Sequence, residues 1–282
     1  KTMKKLLSLL IIFPLIVSAQ QNTVCFTIDP NPNTNNSALA PFTKYVNVLG
    51  CFSIYAESTI SDAKVLHAAA VAAELLDNNE DGVVDDPLIE AQLISESALM
   101  PIFFQDGNTA MNTFANNYNG NGVSAVLYNN EIDPTQTGHW GDDATVEEIM
   151  HTINHVGHTN VYPNAFSLQP NSSLLTTAMD VARGGQFMSV PNNYPASAWY
   201  HYDDWTCDDS CKVVEFFYLA TAAYLGSAID VAHDELRVKT RAALKQKLPQ
   251  VAAVIEIKDY AYPRQMWPDG RYPHAKNIKF SN

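Results

Sequence analysis

Basic residues are scarce in this chain. Its 282 residues include 17 Lys and Arg against 30 Asp and Glu, which gives a formal net charge of −13 at pH 7. A surface of that sign repels phosphate backbones and anionic lipid head groups. We therefore expect neither nucleic acid nor a membrane as a partner.

Long hydrophobic runs are also missing, apart from one at the start. Residues 1–19 read KTMKKLLSLLIIFPLIVSA, in which lysines precede an apolar run that ends in small residues. This pattern is typical of a secretory signal peptide, with cleavage expected after Ala19. The run is short for a membrane span, so the sequence predicts a secreted or periplasmic protein.

Cysteines are few, and an exported protein keeps them where disulfides persist. The four are Cys25, Cys51, Cys207 and Cys211, and the sequence alone leaves their pairing open. We favour Cys25 with Cys51 and Cys207 with Cys211, because each pair brackets a short loop. Zinc binding by Cys207 and Cys211 is the weaker alternative, because no further sulfur or histidine lies close by.

No internal repeat organises the chain, but its character changes along its length. An N-terminal part, residues 20–143, contains strand-like segments rich in β-branched and aromatic residues as well as helices. A second part, residues 144–282, has mainly helical patterns. We predict an α+β, predominantly helical fold, with a small β-containing N-terminal part packed against a helical C-terminal part. One continuous domain is the alternative.

An acidic loop, LDNNEDGVVDDP, separates the first two predicted helices. Alternate oxygen-bearing residues followed by Gly82 at a sharp turn resemble the calcium loops of EF-hand and dockerin-type proteins. The twelfth position is Leu88 where an EF-hand has glutamate, so Asp86 or Glu90 would close the site. The resemblance implies bound Ca²⁺ within residues 77–90, and a plain acidic turn is the alternative. The candidate calcium ligands are Asp77, Asn79, Asp81, the carbonyl of Val83, Asp85, Asp86 and Glu90.

Helical periodicity divides residues 145–158, TVEEIMHTINHVGH, into two stripes. One stripe is apolar and must pack on a core: Val146, Ile149, Met150, Ile153 and Val156. The opposite stripe holds Glu147, Glu148, His151, His155 and His158, which favours a metal or catalytic site over a solvated face. The structural alternative is a capping box, since Thr145 precedes Glu148 by three residues.

Two ligand sets compete on this helix. In the first, Glu147 and His151 bind a metal and Glu148 is the general base, a spacing that resembles the HExxH helix of zincin metallopeptidases with glutamate in place of the first histidine. The resemblance implies Zn²⁺ or another divalent transition metal, and a third ligand downstream. The second set uses His151 with His155, extended by His158.

Glu215 is the first candidate for the third ligand, because it stands alone among apolar and aromatic residues, where an unpaired carboxylate is costly. Its alternative is a buried ion pair with Arg183 or Lys212. Asp180 is the second candidate. His201 and Tyr202, in AWYHYDDWTC, could polarise a substrate carbonyl or belong to a sugar-binding platform.

These patterns predict a secreted metal-dependent hydrolase, with a zincin-like peptidase favoured and a structural calcium site. The expected substrate is a peptide or another extracellular polymer. A non-catalytic extracellular calcium-binding protein is the first alternative, and a polysaccharide-acting enzyme using His201 and Tyr202 is the second. No resemblance covers the whole chain, and the sequence gives no indication of oligomeric state.

Overall fold

The computed structural model of the protein describes residues 26–135, 143–227, 235–260 and 262–273. The predicted signal peptide, residues 1–19, and Cys25 lie outside the described residues. No helix in the described ranges is long and apolar enough to cross a membrane.

The N-terminal part contains a mixed five-stranded sheet. Its strands are β1 (Asp29–Pro30), β2 (Lys44–Val48), β3 (Phe52–Ala56), β4 (Leu99–Phe103) and β5 (Leu127–Tyr128), arranged in that order. The first three are antiparallel, whereas β4 is parallel to both β3 and β5. Side chains alternate along β2, so Val46 and Val48 enter the core while Tyr45 and Asn47 lie on the other face.

The other regular elements of the described structure are helices. They are α1 (Asp62–Leu76), α2 (Pro87–Ser95), α3 (Thr109–Asn117), α4 (Thr145–Ile153), α5 (Thr159–Val161), α6 (Pro163–Phe166), α7 (Leu174–Arg183), α8 (Asp209–Leu225), α9 (Arg241–Lys247) and α10 (Pro249–Glu256). A π-helical segment, Asn154–His158, joins α4 to α5, and short 3₁₀ turns occupy Asn129–Glu131 and Lys258–Tyr260. The predicted α+β, predominantly helical fold is confirmed.

Local sequence signals set several of these helix ends. Asp86 and Asp208 cap α2 and α8 by accepting hydrogen bonds from main-chain N–H groups of the first turn. At the other end, Gly184 and Gly226 terminate α7 and α8 with φ angles of 77° and 88°, a conformation that glycine adopts without strain. These capping residues and glycines are local sequence signals for the ends of α2, α7 and α8.

The main core draws on both predicted parts of the chain. It joins one face of the sheet and α1 to α4, α7, α8 and α10. A smaller cluster, which includes Phe42, Phe103 and Phe114, covers the opposite face of the sheet with α3. Helix α4 packs between α1 and α8.

Candidate metal centre

The apolar stripe of α4 packs in the core, as the sequence predicts. Val146, Ile149, Met150 and Ile153 are all buried. The structural alternative, a capping box of Thr145 and Glu148, is not formed, because α4 begins at Thr145 and no side chain caps it. The Thr145 hydroxyl donates instead to Asp143. Glu148 is therefore not used as a helix cap.

Three residues converge between α4 and α8. Glu147, His151 and Glu215 each offer a ligand atom, and these atoms all lie within 4.8 Å of one another. Glu147 and His151 are one turn apart on α4, and the packing of α8 against α4 brings Glu215 to them. Within the described ranges, no other His, Cys, Asp or Glu side chains form so compact a group of three.

His151 has the protonation state and surroundings of a metal ligand. Its side chain is buried, and its Nε2 atom has no hydrogen-bond partner among the described residues. The ring meets Tyr218 edge-on, with centroids 6.1 Å apart. Burial lowers the pKa of His151 to about 4, so the imidazole is neutral at pH 7 and keeps a lone pair for an electrophile.

The carboxyls of the centre are partly buried and crowded. Burial, with Glu147 and Glu131 nearby, raises the pKa of Glu148 to about 8. Burial also raises the pKa of Glu147, and burial together with the charge of Glu147 raises that of Glu215. No described lysine or arginine is among the main influences on these pKa values. The group therefore crowds acidic side chains together, and Glu147 and Glu215 are hydrogen-bonded to each other.

Three further residues lie beside the metal-ligand candidates and are not predicted from the sequence: Glu131, Glu235 and Tyr218. The carbonyl of Glu131 accepts a hydrogen bond from Ala144 N, which holds Glu131 beside the start of α4. The charge of Glu235 raises the pKa values of both Glu147 and Glu215. Only Tyr218 carries a usable signal, because it follows Glu215 by three residues in α8 and so shares its face.

Main-chain pairing brings His201 and Tyr202 to the same region. His201 N donates to the carbonyl of Glu235 at 2.8 Å, next to an isolated bridge between Tyr200 and Leu236. Burial raises the pKa of Tyr202, and the charges of Glu215, Glu235 and Glu147 add to that rise. Tyr202 thus lies close enough to the metal-ligand candidates for their charges to raise its pKa, and it keeps its phenolic proton.

The second ligand set is not brought together. His155 is exposed, whereas His158 is buried against Phe166 and Tyr262, with ring centroids 5.0 and 5.4 Å apart. The helix changes to π-helical geometry at Asn154, between His151 and His155. His155 turns to solvent, and neither His155 nor His158 belongs to the compact group around His151.

The alternatives for Glu215 also fail. Arg183 forms ion pairs with Asp180 and Asp209, at 2.6 and 2.9 Å, and not with Glu215. Asp180, the second candidate for third ligand, is held by Arg183 within its own helix and is not part of the compact group. Lys212 is buried, and its Nζ atom lies 3.5 Å from the Met188 carbonyl.

The acidic loop adopts a tightly hydrogen-bonded turn. Asp77 accepts hydrogen bonds from Asp81 N and Gly82 N, and Asn79 also accepts one from Asp81 N. Asp81 in turn accepts from Val83 N at 3.0 Å. The Val83 side chain is exposed. These contacts close the loop into a turn, and the calcium site stays a prediction.

Neighbouring parts of the chain use the remaining candidate calcium ligands. Asp85 accepts from Asn78 N and from the Asn79 amide. Asp86 caps α2 and accepts from the Tyr162 hydroxyl at 2.6 Å. Glu90 lies half-buried in the first turn of α2.

One of the two predicted cysteine pairs lies entirely within the described residues. Cys207 and Cys211 form a disulfide with a Cα–Cα distance of 5.3 Å, so the preferred pairing is confirmed there and zinc binding by these thiols is wrong. The bridge lies at the start of α8, the helix that carries Glu215. The predicted partner of Cys51, Cys25, lies outside the described residues.

Comparison with known proteins gives no family for this chain. No family model matches it, and neither a curated protein nor a solved structure is significantly similar.

Proposed function

We propose that this protein is a metal-dependent hydrolase in which Glu147, His151 and Glu215 bind one divalent ion and Glu148 is the general base. The observation that carries the proposal is the convergence of two carboxyls and one neutral imidazole between two packed helices. The unpartnered Nε2 atom of His151 supports it, because a buried nitrogen without a partner is costly.

A divalent cation would resolve the electrostatic problem of this site. Partly buried carboxylates repel one another and lose hydration, so without a cation they hold protons and their pKa values rise. An ion bound by Glu147 and Glu215 neutralises the two ligand charges and favours their ionised forms. The raised pKa values and the compact geometry thus have one common explanation.

In this proposal Glu148 moves a proton and does not bind the ion. It follows Glu147 by one residue and is not a member of the compact group. The ion's contribution would be to polarise the substrate carbonyl and to acidify a water molecule. Its charge would also lower the pKa of Glu148 from about 8, leaving the carboxylate ready to accept a proton and to pass it to the leaving group.

Tyr202 is the candidate for stabilising charge that develops on the substrate. Its pKa is raised, so its hydroxyl keeps a proton to donate. A hydrogen bond to a developing oxyanion lowers the barrier more than it strengthens substrate binding. His201, whose main chain pairs with Glu235, positions this segment.

The donor set indicates Zn²⁺ or another divalent transition metal. One imidazole and two carboxylates form a harder ligand set than two imidazoles and one carboxylate, so Mn²⁺ or Fe²⁺ competes more effectively with Zn²⁺ here. The EExxH spacing on α4 favours a peptide bond as the substrate, by its likeness to the zincin helix. The acidic loop supplies a separate, structural site for Ca²⁺ in this proposal, supported by the burial and acidic neighbours that raise the pKa of Asp85.

Hydrolysis of denatured casein tests the proposal. The purified chain is stripped with a chelator and then supplied with Zn²⁺, Mn²⁺, Fe²⁺ or Ca²⁺ separately. We expect cleavage after addition of a transition metal and none with Ca²⁺ alone. Absence of cleavage in a protein that binds no transition metal would overturn the proposal, whereas a metal-loaded protein that leaves casein intact would exclude the peptidase assignment.

A further inference from the structure

A cavity lies on the face of the β-sheet opposite the main core. It has a volume of about 480 Å³, which falls within the roughly 300 to 1,000 Å³ range of small-molecule pockets. Its walls come from the turn at residues 33–39, strands β2 and β3, residues 94–99 and the end of α3. It shares no lining residue with the metal centre.

The strand register explains why this face is polar. Tyr45 is paired with Tyr55, and Asn47 with Ser53, across β2 and β3. These four residues point to one face because side chains alternate along a strand, while Val46 and its neighbours fill the main core. The rings of Tyr45 and Tyr55 lie 5.0 Å apart at 57° to each other, and both border the cavity, where Tyr45 is the more exposed.

The remaining wall combines apolar side chains with residues that carry an amide or a hydroxyl: Asn33, Asn36, Ser97, Asn117, Tyr118 and Asn119. Asn33 donates to the Tyr55 hydroxyl at 2.6 Å, and the Tyr118 hydroxyl accepts from Gly122 N at 3.1 Å. Because each tyrosine oxygen uses an acceptor lone pair in these contacts, its O–H is left to donate. Asn119 adds an exposed amide, which both donates and accepts.

Charge is nearly absent from this wall. Among the described residues that line the cavity, Glu96 is the only acidic side chain, and no lysine, arginine or histidine is present. Glu96 already accepts from Asn121 at 3.2 Å. A phosphate or carboxylate ligand would find no cation here, whereas a neutral ligand with many hydroxyls matches both the amides and the rings.

We propose that this cavity binds a neutral carbohydrate. The tyrosine rings would contact the apolar face of a sugar, and the asparagine amides would exchange hydrogen bonds with its hydroxyls. The site would hold the protein on a glycan without taking part in hydrolysis. It is independent of the proposed metal centre.

Calorimetric titration of the full chain tests this site. The probes are cellobiose, maltose, lactose and N,N′-diacetylchitobiose, with digalacturonate as the anionic comparison. We expect binding of at least one neutral disaccharide, weakened about tenfold or more by Tyr45→Ala and by Asn119→Ala. Asn116→Ala, on an exposed position of α3 outside the cavity, is the matched control and should bind like wild type.

Three outcomes would overturn the inference. They are no binding of any neutral probe, equal binding by wild type and both cavity variants, and tighter binding of digalacturonate. Asn119→Ala keeps the test decisive if Tyr45→Ala fails to fold, because Asn119 is exposed. None of these outcomes depends on whether the metal centre is active.

Discussion

The Nδ1 atom of His151 lies 3.9 Å from Oε2 of Glu148, one turn earlier on α4. This separation exceeds a hydrogen bond, so Glu148 does not fix the orientation of the imidazole. The two side chains therefore have separable roles. Loss of the Glu148 charge should leave the metal-binding geometry of His151 in place.

Glu148→Gln should accordingly retain the metal and lose turnover. The amide cannot accept the proton that a general base removes, so we expect kcat to fall by roughly 10²- to 10⁴-fold. Metal content by elemental analysis and casein hydrolysis are measured on the same preparation. If the Gln variant loses its metal as well, Glu148 is a ligand and the assignment of a general base is incorrect.

His151→Ala should remove the transition metal. The variant lacks one of three converging ligands, so the protein is expected to lose its metal during dialysis against metal-free buffer. His155→Ala is the matched control, because His155 is exposed one turn later and outside the group. Elemental analysis that finds equal metal in both variants would contradict the ligand set.

The sequence is sufficient to predict features that depend on neighbouring residues, such as the buried face of a helix and its N-terminal cap. The apolar stripe of α4 is buried as its spacing requires, and Asp86 and Asp208 cap their helices. Glu215 could be singled out because an acid in an otherwise apolar helix needs a partner. Its approach to His151 depends on the packing of α8 against α4, which the sequence suggests but does not define.

The remaining features depend on tertiary contacts or on small changes in helical geometry. The hydrophobic pattern of residues 154–158 fits an α-helix as well as the observed π-helical turn. Periodicity alone therefore could not exclude His155 as a metal ligand. The capping box failed because Asp143 accepts from Thr145 and also binds His67 at 2.8 Å, a contact with α1. Glu235 lies near the centre because its carbonyl pairs with His201 N, and no local sequence pattern predicts that contact.

Asp81→Ala should lower thermal stability only when calcium is present. A ligand that binds the folded state at about 100 times its Kd adds roughly 2.7 kcal/mol, which for a chain of this size corresponds to about 5 to 10 °C in Tm. In chelator, the variant loses only the exposed hydrogen bond from Val83 N, and its Tm should stay close to wild type.

Asp106→Ala provides the control for this comparison, because Asp106 is an exposed aspartate outside the acidic loop. Differential scanning calorimetry of wild type and of each variant, with calcium and with chelator, gives the two Tm values that each protein requires. An equal loss of stability in both conditions would show that Asp81 has a structural role in the turn and would remove the calcium assignment.

The metal-free protein should lose stability as pH rises from about 6.5 to about 8. Burial raises the pKa of Glu148 from 4.5 to about 8, and also raises the pKa values of Glu147 and Glu215. In this window the folded state therefore holds more protons than the unfolded state, so the free energy of unfolding falls with increasing pH.

The buried histidines act in the opposite direction at lower pH, which sets the lower limit of the window. Burial lowers the pKa values of His151 and His158 from 6.5 to about 4, so their contribution is lost as pH falls below 6.5. Above that pH both imidazoles are neutral in either state, and the carboxyls determine the slope. Glu74, whose pKa burial also raises to about 8, adds to that slope with the same sign.

Chemical denaturation in chelator, repeated across the window, measures this effect. Glu148→Gln should reduce the slope without abolishing it, because Glu147, Glu215 and Glu74 still titrate in the folded protein. Addition of Zn²⁺ should reduce the slope further, since the ion favours ionised ligands and competes better with protons as pH rises. A flat or rising free energy of unfolding in chelator, or a slope that Glu148→Gln leaves unchanged, would mean that these carboxyls are ionised without a metal and that the electrostatic argument for an ion does not hold.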